Sequence, residues 1–88
     1  MQNFDEFMEV VRKIRKSCPW DKVQTHDSLK PYLISETNEL QEENERLNTH
    51  TDSTHLCEQL DHLTFQVSLQ SEIQHDEGHF TIRDVPDG

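Results

Sequence analysis

The chain has 88 residues, and its 8 Lys and Arg stand against 18 Asp and Glu, a formal net charge of −10. That balance excludes nucleic-acid binding by phosphate neutralisation, which needs clustered basic side chains. No run approaches ~18 apolar residues, so no membrane span is predicted, and Met1-Gln2-Asn3-Phe4-Asp5 lacks the basic and apolar regions of a signal peptide.

Phe4, Phe7, Met8, Val11 and Ile14 recur at helical spacing and predict a first helix from about Asn3 to Lys16. Asn3 with Glu6 three residues on reads as a capping box, and Lys13, Arg15 and Lys16 suit the C-terminal end of the helix dipole. Ser17-Cys18-Pro19-Trp20-Asp21 breaks this helix, because proline restricts both itself and its predecessor. A second helix is predicted to about Leu47, with caps offered by Thr25 to Ser28 and with Pro31 expected in its first turn. Its inward stripe reads Leu29, Leu33, Glu36, Leu40, Glu43, Leu47, so two inward positions are carboxylates. Asn48 to Ser53 is a polar connection, and Ser53 or Thr54 is expected to cap the third helix.

That helix is predicted from about Thr54 to His75, with Gly78 as its C-terminal stop. Leu56, Leu60, Leu63 and Val67 mark one face, and Phe65, Leu69 and Ile73 mark nearly the opposite one. A helix apolar on both sides is buried on both sides. Only 31% of the residues are hydrophobic and alanine is absent, and a domain of this size buries only about 60% of its unfolded surface. Residues 1–88 are therefore read as one all-α helical bundle whose core is completed by a second copy, a homodimer or higher homo-oligomer. The segment from Phe80 to Gly88 is too short to assign.

Several side chains could carry chemistry. Glu36 and Glu39 are three apart on the second helix, so they share one turn, and inward carboxylates on bundle helices hold divalent metals. The competing reading is a solvated acidic face continued by Glu42 and Glu43. His55, Glu58 and His62 fall within an arc of roughly 60° on the third helix, either as a transition-metal site or as exposed histidines. Trp20 could stack on a base or plug the space between helices one and two. Lys22 could reach a phosphate or offset Asp21. Cys18 and Cys57 are too few for a disulfide scaffold and have no His–Asp partner pattern, so reduced thiols and a cytoplasmic location are expected.

The sixteen residues Cys18-Pro19-Trp20-Asp21-Lys22-Val23-Gln24-Thr25-His26-Asp27-Ser28-Leu29-Lys30-Pro31-Tyr32-Leu33 resemble a segment of MazG-type nucleoside triphosphate pyrophosphohydrolases, C-P-W-D-x-x-Q-T-h-x-S-L-x-P-Y-x. The likeness continues through Leu56 to Val67 and into Glu77-Gly78-His79-Phe80, similar to the family's E-E-G-R-F. It implies a MazG-like helical bundle that cleaves a nucleoside triphosphate to the monophosphate and pyrophosphate. It also implies a Mg²⁺ site built from E-E-x-x-E and a later E-x-x-D. Glu36 and Glu39 fall on retained ligand positions, Ser35 on the neighbouring glutamate, and Gln59 and His62 on the two acids of the second part. From the residues themselves, Trp20, Asp21 and Lys22 are the substrate-side candidates.

Glu58 and Asp61 form an E-x-x-D displaced by one residue, but one step along a helix turns a side chain by about 100°, which directs Asp61 to water. The ligand carboxylates thus fall from four, formally −4, to two. Mg²⁺ prefers oxygen ligands, whereas His62 suits Zn²⁺, Ni²⁺ or Mn²⁺. Two expectations follow: a pyrophosphohydrolase with weakened or lost Mg²⁺-dependent activity (Mn²⁺ or another divalent metal being the alternative ion), or a non-catalytic dimeric helical module for binding or regulation.

Overall fold

A computed structural model describes residues 3–49 and 52–88. Three helices account for most of them: α1 over Phe4–Ser17, α2 over His26–Arg46 and α3 over Thr54–Asp76. Short 3-10 segments cover Asp21–Val23 and Ile82–Asp87, and the described residues contain no strand. The expected boundaries hold to within one residue for α1 and α3. In the polar connection, His50 and Thr51 lie outside the described residues.

Side-chain caps set the helix starts. Asn3 Oδ1 accepts from the Glu6 N–H at 2.9 Å. Thr25 and Ser28 form a reciprocal pair at the start of α2: Thr25 Oγ1 accepts from the Ser28 N–H at 3.1 Å, and Ser28 Oγ accepts from the Thr25 N–H at 2.8 Å. Two details depart from expectation. Because α2 starts at His26, Pro31 is its sixth residue, inside the helix and not in its first turn. Pro31 and Asp27 are both exposed, so water can serve the Asp27 carbonyl that proline cannot. At the start of α3, Ser53 makes no side-chain cap. Asp52 does this instead, its Oδ1 accepting from the Thr54 N–H at 3.1 Å and hydroxyl at 2.7 Å. Gly78 takes φ +79° just past α3, the left-handed conformation that lets the His79 N–H turn back to the Gln74 carbonyl at 3.0 Å.

The connector between α1 and α2 is tied from three sides. The Arg15 guanidinium donates to the Asp21 carbonyl and, at 3.0 Å, to that of Gln24. Gln24 donates through Nε2 to the Trp20 carbonyl at 2.9 Å and accepts from Ser28 Oγ at 2.6 Å. The turn is thereby fixed by its own polar side chains before Leu29 enters the core.

Both α1 and α2 pack on α3. His26 meets Gln74 at 2.7 Å and Glu36 meets His62 at 3.4 Å, so α2 and α3 run antiparallel. Arg12 pairs with Glu72 at 3.2 Å and Arg15 with Asp76 at 3.4 Å, so α1 runs parallel to α3. Leu29, Leu69 and Ile73 form the central cluster with Phe65 against it, and Met8 and Val11 are buried on α1. One stripe of α3 is therefore covered. Of the other, Leu56 and Leu63 are half-buried while Leu60 and Val67 stay exposed. The radius of gyration is 14.5 Å, against about 12 Å for a compact chain of this length. The accessible surface is 6331 Å², against about 5400 Å² for a folded monomer of this mass.

Candidate metal centre

The α2 stripe anticipated from spacing is the one that faces α3. Leu29 is buried, and Leu33, Glu36, Leu40, Glu43 and Leu47 are half-buried. Glu36 is thus carried into the α2–α3 seam by its leucine neighbours, and Glu39, on the same turn, sits at the seam's exposed edge. Across from them α3 presents Gln59 and His62, also three apart. His62 Nδ1 lies 3.4 Å from Glu36 Oε2. One ligand atom from each of Glu36, Glu39 and His62 can be chosen so that all three lie within 4.8 Å of one another. Glu36 Oε2 and Gln59 Oε1 are both buried atoms without a hydrogen-bond partner. Such orphaned acceptors cost free energy, which a cation or a donor placed in the seam would offset.

The register of α3 agrees with its hydrophobic pattern. His62, not Asp61, meets Glu36, and Asp61 is exposed at the rim of a shallow cavity of about 260 Å³ lined by Phe7, Glu36, Asp61, His62, Phe65 and Gln66. The displaced E-x-x-D therefore does not supply the seam. His55 and Glu58 pair with each other at 3.5 Å, both exposed, and among the described residues neither joins the converging group. His75 and His79 go separate ways, to Glu72 and to Gln74.

The substrate-side candidates sit elsewhere. Trp20 is half-exposed and meets Tyr32 edge-on, ring centroids 5.4 Å apart. Lys22 is exposed and Asp21 is buried with Oδ1 unpartnered. All three precede α2, but Trp20 folds back on Tyr32, one turn of α2 and about 6 Å of rise before Glu36, whereas none of the three lines the cavity beside the carboxylates. At 260 Å³ the cavity is also below the roughly 300–1,000 Å³ of sites that enclose a small molecule.

Three features escaped the motif reading. Gln66 lines the cavity beside His62, and its signal was the 59, 62, 66 spacing that continues the polar row. Phe7 reaches the same cavity from α1. Glu72 is buried next to Arg12 and His75, and its signal was its place seven residues after Phe65 and three after Leu69, on the covered stripe of α3.

The donor set does not fit the Mg²⁺ site that the family pattern implies. An all-oxygen, octahedral shell would here have to be drawn from two carboxylates, one amide and an imidazole.

Residues 24–88 match the family model described as the MazG nucleotide pyrophosphohydrolase domain. The chain is 44% identical over 87 residues to "Uncharacterized protein YabN" of Bacillus subtilis, covering 97% of this chain and 17% of that protein. It is 39% identical over 84 residues to "Nucleoside triphosphate pyrophosphohydrolase/pyrophosphatase MazG" of Thermotoga maritima, covering 93% of this chain and 31% of that one. It is 31% identical over 88 residues to "Nucleoside triphosphate pyrophosphohydrolase" of Escherichia coli K12, covering 97% and 32%. The chain thus spans a third or less of the length of these relatives. With the all-α architecture and the family match over three quarters of its length, the chain belongs to the MazG nucleotide pyrophosphohydrolase family.

Proposed function

We propose that this domain keeps the scaffold of a nucleoside triphosphate pyrophosphohydrolase, converting NTP to NMP and pyrophosphate, with Mg²⁺-dependent turnover weakened or lost. The observation that carries this is the composition of the α2–α3 seam, where Glu36 and Glu39 face Gln59 and His62. Pyrophosphohydrolysis needs cationic charge to offset the triphosphate and to activate water. A seam reduced from four formal negative charges to two holds hard cations less well, and a chain of net charge −10 has no surplus of basic groups to replace them.

A second reading, a dimeric helical module without catalysis, is favoured by one observation. Leu60 and Val67 leave an apolar stripe of α3 open, and the surface exceeds that of a compact monomer. A second copy covering this stripe would complete the core and enlarge the shallow cavity. A cytoplasmic setting fits both readings; among the described residues no helix is long and apolar enough to cross a membrane.

The test is pyrophosphate release from a panel of NTPs and dNTPs with Mg²⁺ and with Mn²⁺. Wild type runs beside a Gln59→Glu, His62→Asp double variant. Gain of activity in the double variant alone supports the first reading. Equal rates overturn the ligand argument, and silence from both favours the module.

A further inference from the structure

The seam has a geometry of its own, apart from what it lacks for Mg²⁺. His62 Nδ1 and Glu36 Oε2 stand at an ion-pair distance of 3.4 Å, and Glu36 Oε2 accepts no hydrogen bond, so a nitrogen and a carboxylate oxygen from two helices converge with capacity to spare. Glu39, exposed on the same turn of α2, is long enough to close the third position, since its carboxylate already lies within 4.8 Å of the other two ligand atoms.

We infer that Glu36, Glu39 and His62 form a one-ion site selective for a borderline transition cation of the Zn²⁺ class over Mg²⁺. Imidazole nitrogen and carboxylate oxygen are both ligand types that Zn²⁺ takes, with three protein ligands leaving one position open, and nitrogen ligation favours Zn²⁺ and Co²⁺ over Mg²⁺. Gln59 Oε1, buried and unpartnered on the same face of α3, is an acceptor available to a metal-bound water. The inference rests on reading the seam as the altered metal position of the family.

The test uses the chain stripped with a chelator and then followed by thermal unfolding with Zn²⁺ or Mg²⁺, with Co²⁺ absorption as a direct spectroscopic probe. A ligand that binds the native state at 100 times its Kd stabilises this domain enough to raise Tm by about 10 °C or more. Zn²⁺ is expected to do so with one ion per chain, and millimolar Mg²⁺ is expected to do little. His62→Ala removes the Zn²⁺ shift and the Co²⁺ band, His62→Asp reverses the preference towards Mg²⁺, and His55→Ala changes neither. His62→Gln replaces His62→Ala if the latter loses its far-UV helicity.

Equal shifts from Zn²⁺ and Mg²⁺, or a Zn²⁺ shift that survives loss of His62, overturn the inference. If wild type binds neither ion while Gln59→Glu, His62→Asp gains Mg²⁺-dependent pyrophosphate release, the Zn²⁺ assignment falls and the family-site reading stands. If that double variant is inert to Mg²⁺ as well, both fall.

Discussion

The two faces of α3 predict unequal responses to the same truncation. Leu69 is fully buried, 0% exposed, among Leu29, Ile73 and Phe65. Leu69→Ala loses its transfer free energy and leaves a cavity, about 3 kcal/mol in all. Against a total stability of about 4–13 kcal/mol for 88 residues that is a large share, and it lowers Tm by about 12–24 °C. Leu60, on the other face, is 46% exposed, so Leu60→Ala in an isolated chain costs about 1 kcal/mol. Urea unfolding followed by circular dichroism at two protein concentrations separates the cases. Where a second copy covers Leu60, the wild-type midpoint rises with concentration and Leu60→Ala abolishes that rise. A Leu69→Ala cost below about 1 kcal/mol would refute the assignment of the core to the Leu29–Leu69–Ile73 face. So would an equal cost at Leu60 in a protein whose midpoint ignores concentration.

The Glu72 side chain is 4% exposed and its closest cation is Arg12 at 3.2 Å. Arg12→Met leaves a buried carboxylate with only half-exposed His75 at 3.5 Å, at a cost of about 2 kcal/mol; Glu72→Gln added to it should recover most of that loss, and no recovery in urea midpoints counts against a buried ion pair. Asp52 is held below its ordinary value of 3.8 chiefly by the Thr54 hydroxyl, then by the Thr54 N–H. Because the folded value is the lower one, this stabilisation is complete above the unfolded value and disappears as pH falls through the folded one. Asp52→Asn should therefore lower the urea midpoint at pH 6, and the difference from wild type should shrink as the pH is lowered through the carboxylate range; a difference that does not change with pH contradicts the charge-based cap.

Much of this fold is legible because its helices carry redundant signals. α1 has a cap at Asn3, a single apolar stripe and a proline beyond its end, and it runs where those place it. The site was legible to the extent that α3's register was: the two apolar stripes through Leu63 and Leu69 pin the helix, which in turn pins His62, and not Asp61, opposite Glu36. Other features depend on tertiary neighbours. Pro31 argued for a later helix start, but the paired Thr25–Ser28 cap prevails and leaves proline inside α2. The spacing from Phe65 and Leu69 places Glu72 on the covered stripe, but its partner Arg12 is fixed only when α1 lies on α3.

The segment with the strongest likeness to the family is occupied with holding the fold together. In the stretch from Cys18 to Leu33, Gln24 holds the Trp20 carbonyl, Ser28 holds Gln24, Thr25 and Ser28 cap α2, and Leu29 starts the core. Arg15 closes the turn from α1. None of these contacts involves the side chains at positions 59 and 62. Selection on the fold and selection on the ligands can therefore act separately in this chain. A Gln24→Ala variant tests that separation. It should lower Tm through two lost hydrogen bonds, about 1–3 kcal/mol together, while leaving the ion preference of the folded protein unchanged. A change in ion preference would show that the connector reaches the seam after all, and the marker segment would then carry chemistry as well as architecture.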